Sequence, residues 1–274
     1  MGLEKQTNKT GSIVLESLGD SCLKGIALSI IVVSTNDLQR LEKTIGSLVP
    51  NNKYVEYIFV SPSWNLQSNQ VINQFLKRSL GTSKLLNDKG TGVYPAMQLG
   101  VNAANGKYIC FWNSGDESVS RKSLLNLSKF LDVSQSKWAI SLGIFDWLEQ
   151  QNLTNENLRN FICNAEESLI SHQTIFFNRN AFHKVGGYDL KFKVAADTKL
   201  IIEFFKIADP AWIDFPTVKV EKPKFASANN KRSRLECFII ALTAVPKEMK
   251  IQAIRNILYR EASALRRKSV NVWK

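Results

Sequence analysis

Apolar positions along this chain follow two alternating rhythms. Residues 26–33 form a continuous apolar, largely β-branched run, bounded by Gly25 and by Ser34-Thr35-Asn36. Such a run predicts a strand buried on both faces. Asn36 or Asp37 then caps a helix over 38–48, with Leu41, Ile45 and Leu48 on one face. Residues 54–60 predict a second strand. A helix follows over 69–80, with Val71, Ile72, Phe75 and Leu76 inward and Gly81 as its C-cap. A short third strand covers 84–86, a glycine-bearing turn 88–92, and a third helix 93–104. Asn105-Gly106 closes that helix, and 108–112 is the fourth strand. Strand and helix thus alternate three times before the fourth strand, which predicts an α/β fold: a parallel sheet with helices on both faces.

After Ser118 the rhythm loosens. Helices are expected over 122–131, 180–185 and 197–207, and strands over 137–146 and 174–177, with one or two more within 212–220. Gly186-Gly187 is a break, and 150–168 is polar and stays unassigned. From residue 232 two helices are expected, split at Pro246. The second sets Ile251, Ile254, Ile257 and Leu258 as an apolar face beside Lys250, Arg255 and Arg260, an amphipathic and basic pattern. The chain therefore divides into an N-terminal extension (1–25), one α/β domain (26–230) and a basic helical C-terminal tail (231–274).

Composition sharpens this picture in two places. Hydrophobic residues make up 44% and charged residues 22%, enough for a sizeable soluble core. No apolar run approaches the ~18 residues of a membrane span, and the first 24 residues lack the apolar centre of a secretion signal. Gln6 stands where a myristoylation signal needs Ser or Thr. Cys22, Cys110, Cys163 and Cys237 are widely spaced, which fits a reducing, cytoplasmic compartment and argues against a structural zinc site. The net charge of +12 is uneven: residues 222–274 hold thirteen Lys/Arg against three Glu, a net of +10. A basic, amphipathic tail suits an anionic membrane surface. It lacks the interleaved aromatic residues of a nucleic-acid surface, so no nucleic acid is expected. A solvated helix packed on the domain is the alternative.

Candidate chemistry concentrates at residues 107–118. The apolar run Tyr108-Ile109-Cys110-Phe111-Trp112 ends in Asn113-Ser114-Gly115-Asp116-Glu117. Carboxylates at the C-terminal end of a buried strand lie where an open α/β sheet binds ligands. They also suit a divalent cation held against a diphosphate. A solvated turn has the same composition, and the two readings stay open on spacing alone.

Four stretches together resemble the family 2 inverting glycosyltransferases with the A-type nucleotide-sugar-binding fold, in the bacterial branch that builds cell-surface polysaccharides. The first is Ser29 to Asn36. The second is Gly92-Val93-Tyr94-Pro95-Ala96-Met97-Gln98-Leu99-Gly100, and the third is Asn113-Ser114-Gly115-Asp116. The fourth joins Ser171-His172-Gln173, Val185-Gly186-Gly187-Tyr188-Asp189 and Ala195-Ala196-Asp197. The resemblance implies a central, mostly parallel sheet flanked by helices, and transfer of a sugar from a nucleotide-sugar donor to a glycan or lipid-linked acceptor. It implies Asp116 as the ligand of a divalent metal (manganese or magnesium) and Asp197 as the general base. It further implies Ser34, Thr35, Asn36, Ser61, Gly92, Tyr94, Met97 and Asn113 around the nucleotide sugar, with His172 and Gln173 at the donor sugar or acceptor. The expected location is the cytoplasm, peripheral to the inner face of the plasma membrane. Taken alone, Asp197 reads first as a helix cap, and His172 is equally a structural histidine.

The sequence departs from the family pattern at the nucleotide pocket. Ser61-Pro62-Ser63-Trp64 replaces the usual Asp-Gly-Ser turn, Pro95 replaces an acidic residue, and Ala196 replaces a Glu. The Asp-x-Gly before the third helix is displaced to Asp88-Lys89-Gly90. Base recognition is then rebuilt on Ser61, Ser63 or a stack on Trp64, or it is lost. Loss would leave an inactive relative that binds nucleotide sugars or acts as a scaffold.

Overall fold

The computed structural model describes residues 25–34, 36–79, 82–145, 154–164, 170–222 and 231–271. The expected alternation is present: β1 (Leu28–Val33), α1 (Leu38–Ser47), β2 (Val55–Pro62), α2 (Leu66–Leu76), β3 (Lys84–Asp88), α3 (Val93–Ala103) and β4 (Tyr108–Asn113). There follow β5 (Glu117–Ser118), α4 (Arg121–Val133), β6 (Trp138–Phe145), α5 (Asn155–Asn164), β7 (Ile175–Asn178), α6 (Arg179–Lys184), α7 (Ala196–Ile207) and β8 (Ala211–Val220). Two helices end the described chain, α8 (Lys231–Thr243) and α9 (Lys247–Asn271).

Among the described residues the strands form one sheet in the order β3-β2-β1-β4-β7-β6-β8-β5. The first four are all parallel. Beyond β4, β7 runs antiparallel to both β4 and β6, and β8 runs parallel to β6 past an irregular register. In the parallel half, Val33 pairs with both Val60 and Asn113. Three strands therefore finish level, and their following turns line one edge.

Strand side chains alternate between two apolar layers, as the period of two requires. Ile31, Ile58, Ile109 and Phe111 face α3 and α5 to α9. Ile30, Phe59, Cys110 and Trp112 face α1, α2 and α4. The α3 helix lies so close to β1 that a Cβ on Gly100 would fall 2.4 Å from Ile31 Cγ2, so only glycine fits there without movement. Buried Glu56 ties three elements together. It accepts hydrogen bonds from Ser29 Oγ on β1 (2.5 Å) and from the main chain of Asn105 and Gly106 at the entry to β4.

Two sequence expectations change here. The unassigned stretch 150–168 contains α5, whose Leu158, Phe161 and Ile162 join the core at helical spacing. The one or two strands expected within 212–220 are a single strand, Ala211–Val220. The apolar face expected on α9 is split. Ile257 is buried and Ile254 packs on the core, because α9 lies against α5 and α8, while Ile251 (82% exposed) and Leu258 (55%) point outward. Cys110, Cys163 and Cys237 are buried and in no disulfide among the described residues. Cys22, Gly81 and the extension before Gly25 lie outside the described residues.

Candidate active site at the carboxyl edge of the sheet

The turn after β4 is built around Asp116. Gly115 takes a φ of 110°, a left-handed conformation that favours glycine, and its N–H donates to Thr44 Oγ1 on α1 at 2.8 Å. The Asp116 side chain is 1% exposed. Its Oδ2 accepts the Asn113 N–H at 2.7 Å, and its Oδ1 accepts the Glu221 N–H, just past β8, at 3.1 Å. Burial pushes its carboxyl above the ordinary range. The two N–H groups, His172 and the Gln173 amide pull the other way without cancelling the effect. Glu117 turns aside to Lys43, 3.1 Å away.

A second carboxylate arrives from a distance. Arg40 Nε of α1 lies 2.6 Å from Glu221 Oε2, and this pair packs over Gly115. A Cβ built on Gly115 would fall 1.6 Å from Glu221 Oε2. Glu221 thus fills the space a side chain at position 115 would need.

Asp197 sits in the first turn of α7. The N-cap position is Ala195, so the simple capping reading of Asp197 does not hold, although its Oδ1 does accept the Thr198 N–H at 2.8 Å. The Tyr94 hydroxyl on α3 shares its proton between Asp197 Oδ1 (3.0 Å) and Val194 O (2.7 Å). His172 Nδ1 is 3.5 Å from Asp197 Oδ2. Burial raises the Asp197 carboxyl, but His172, Thr198 and Tyr94 outweigh it, leaving the group below the usual carboxylate range and ionised at neutral pH. Burial and the Asp197 charge push the Tyr94 phenol far up, so it stays a donor. The other imidazole nitrogen, His172 Nε2, faces Asn113 Nδ2 at 3.5 Å. His172 therefore bridges the Asp116 turn and Asp197.

The remaining residues singled out in the sequence fall into three groups. Asn113, His172 and buried Gln173 are at the Asp116 turn. Ser34 ends β1 and is buried, Asn36 is exposed just beyond it, and Thr35 lies outside the described residues. Ser61 ends β2 and Gly92 opens α3 with a φ of 128°. Ser61 Oγ and Asp88 Oδ1, at the ends of β2 and β3, are buried without a hydrogen-bond partner. Trp64 is 60% exposed, and its Nε1 lies 3.9 Å from a Cβ placed on Gly90. The other two have different surroundings from those expected. Met97 is inside the core, packed there by the inward face of α3, and has no surface to offer a ligand. Tyr94 is committed to Asp197 rather than to the β2–β3 end. Arg40, Asp88 and Glu221, which the structure brings to this edge, were not among the residues singled out in the sequence. Asp88 was visible as a displaced motif residue, whereas the other two carry no local signal.

Residues 29–186, more than half of the chain, match the sequence profile of glycosyl transferase family 2. The chain belongs to that family. The match to this glycosyltransferase ends before Asp197. The chain is 27% identical over 194 residues to an uncharacterized glycosyltransferase of Mycobacterium tuberculosis, covering 68% of this chain and 71% of that one. It is 27% identical over 132 residues to a PGL/p-HBAD biosynthesis glycosyltransferase of Mycobacterium bovis, covering 46% and 48%. Its fold is similar to that of S. aureus TarS 1-349 in complex with UDP-GlcNAc (TM-score 0.62, 14% identity, 87% of this chain and 73% of that one). It is also similar to that of the mannosyltransferase PcManGT from Pyrobaculum calidifontis in complex with GDP-Man and Mn2+ (TM-score 0.58, 14% identity, 89% and 76%). The architecture is thus that of the A-type glycosyltransferases.

Among the described residues no three His, Cys, Asp or Glu side chains gather into a protein-only metal cage. Magnesium-like cations are commonly held by one or two carboxylates plus substrate phosphates, so a smaller donor set suffices. A carboxylate offers about four acceptor positions, and the two main-chain N–H groups and the Gln173 amide leave Asp116 room for a cation. Glu221 and Asn113 add further oxygen donors at the same turn. This all-oxygen set fits a hard divalent cation.

Proposed function

We propose that this family 2 enzyme moves a sugar from a nucleoside-diphosphate donor to a hydroxyl of a glycan or lipid-linked acceptor, inverting the anomeric carbon. The observation that carries the reading is an ionised Asp197, oriented by Tyr94 and linked through His172 to the Asp116 turn. In the reaction the acceptor O–H gives its proton to Asp197 while its oxygen bonds to the anomeric carbon. The bond from that carbon to the diphosphate breaks on the opposite side, and the nucleoside diphosphate leaves. A manganese or magnesium ion held by Asp116, with Glu221 and Asn113 beside it, would supply neutralisation of the charge that grows on the leaving diphosphate. His172 and Gln173 would face the donor sugar or acceptor. Ser34 to Asn36 and Gly92 would border the nucleotide.

The nucleotide end is supported by the unpartnered Ser61 Oγ and Asp88 Oδ1, which can meet the polar edge of a base or ribose, and by the exposed Trp64, which can stack. A UDP or GDP donor is consistent with the complexes of TarS and PcManGT. A role in cell-surface glycolipid or polysaccharide synthesis is consistent with the PGL/p-HBAD relative. The test is a screen of UDP-GlcNAc, UDP-glucose and GDP-mannose with Mn2+, reading nucleoside diphosphate release. Turnover of one donor is expected. Calorimetric binding of a nucleoside diphosphate with no turnover would favour the inactive relative, and no binding at all would leave a scaffold.

We also propose that α9 lies at the inner face of the plasma membrane, close to a lipid-linked acceptor. Ile251, Leu258 and Tyr259 are exposed together on its outer side beside Arg255, and among the described residues no helix is long and apolar enough to cross a bilayer. Flotation with phosphatidylserine-containing vesicles is expected for the intact protein and should weaken on changing Ile251 and Leu258 to Ser. Equal flotation of both would remove the membrane role.

A further inference from the structure

Helix α8 supplies one carboxylate to the loop that carries the base. Glu236 is 6% exposed, and its Oε2 accepts the main-chain N–H groups of Lys193 (3.0 Å), Val194 (2.8 Å) and Ala195 (3.0 Å). Its Oε1 also accepts from Lys193 at 3.0 Å and from Arg232 Nε at 3.0 Å. Three successive N–H groups converging on one point form a concave anion seat. Here a side chain from the far end of the chain occupies it. The carbonyl side of the same loop is fixed too, because Val194 O accepts the Tyr94 hydroxyl that also holds Asp197. The loop is therefore clamped from both sides immediately before α7, and Asp197 is the second residue of that helix.

We propose that Glu236 is a positioning residue for sugar transfer: it fixes residues 193–195 and so sets where the Asp197 carboxylate stands. The proposal rests on Asp197 being the general base. Glu236 is buried on α8, and its carboxylate oxygens are taken up by the loop N–H groups and Arg232. Its contribution is alignment, where an error of about 1 Å can cost about 100-fold in rate. The C-terminal helices are then part of the active site as well as a surface for docking.

The test compares Glu236→Gln, Glu236→Asp, Arg232→Gln and Asp197→Asn in the full-length protein. Hydrogen–deuterium exchange needs no ligand. The Gln variant keeps size and can leave its amide oxygen under the three N–H groups, but it loses the negative charge and sets its NH2 against the Lys193 N–H and Arg232 Nε that Oε1 accepted, so the 193–195 amides should exchange about 10-fold faster or more. With UDP-GlcNAc or GDP-mannose as the donor probe, kcat per folded molecule should fall about 10-fold to 100-fold in Glu236→Gln, with donor KM within about twofold. Glu236→Asp should recover part of the rate, and Arg232→Gln, which leaves the three N–H bonds in place, should be near normal.

Unchanged exchange at 193–195 in Glu236→Gln would overturn the clamp. So would a rate loss equal in Arg232→Gln, which would reduce Glu236 to general anchoring of α8. Full activity of Asp197→Asn alongside fast exchange in Glu236→Gln would instead overturn the base assignment and leave the clamp standing.

Discussion

Asp197→Asn should lower kcat by about 100-fold to 10,000-fold, the span that a positioned general base contributes, with little change in donor binding. The amide can still accept from Tyr94 and Thr198, so the fold is expected to survive, but it cannot take the acceptor proton. Steady-state kinetics beside calorimetric titration with a nucleoside diphosphate would separate the two effects. The base must be ionised to act, so the acid limb of the kcat/KM profile follows its pKa. Burial raises that pKa, and His172 is the leading group that lowers it. Replacing His172 by Gln should therefore move the acid limb to higher pH. An acid limb that stays put would mean that Asp197 does not titrate in the rate-limiting step.

Asp116→Asn should be costly twice. Two main-chain N–H groups, from Asn113 and Glu221, aim at the carboxylate. An amide can satisfy at most one of them well while its NH2 is set against the other, a loss of about 1–3 kcal/mol for a buried group. Urea unfolding would read this. Transfer should also fall by about 100-fold or more, and the Mn2+ concentration needed for half-maximal rate should rise. Glu221→Gln should raise that requirement less, because Asp116 remains. A lowered urea midpoint with an unmoved metal requirement would leave Asp116 as a tie between the turn and β8, with no ligand role.

The parallel half of the sheet was legible because its information is local. Residues 26–33 and 108–112 are long apolar runs with turn residues at both ends, and the helices between them carry clear stripes. Helix α5 was hidden because its core-facing Leu158, Phe161 and Ile162 sit among Asn, Glu and Arg. The α9 face misled because periodicity reports which side of a helix is apolar but not how much of it a neighbour covers. Met97 misled in another way. It belongs to a stretch that resembles a binding motif, yet its side chain serves the packing of α3.

At the site, Asp116 and Asp197 stood out because each lies in a recognisable string. Arg40 and Glu221 did not, since their pairing spans 181 residues and no short pattern encodes it. Glu236 was equally silent. In sequence it looks like one acidic residue in a basic helix, forming an (i, i+4) pair with Arg232, and its loop lies 41 to 43 residues upstream. Long-range closure, in which chain ends complete a site begun near the start, is what local patterns omit.

That closure also has a temporal side. During synthesis the strands, Asp116, Asp197 and the Tyr94 hydroxyl all leave the ribosome before α8 does. The 193–195 loop before Asp197 cannot be seated until the stretch holding Glu236 has emerged and docked. On the role proposed for Glu236, alignment of the base loop is the last step of assembly.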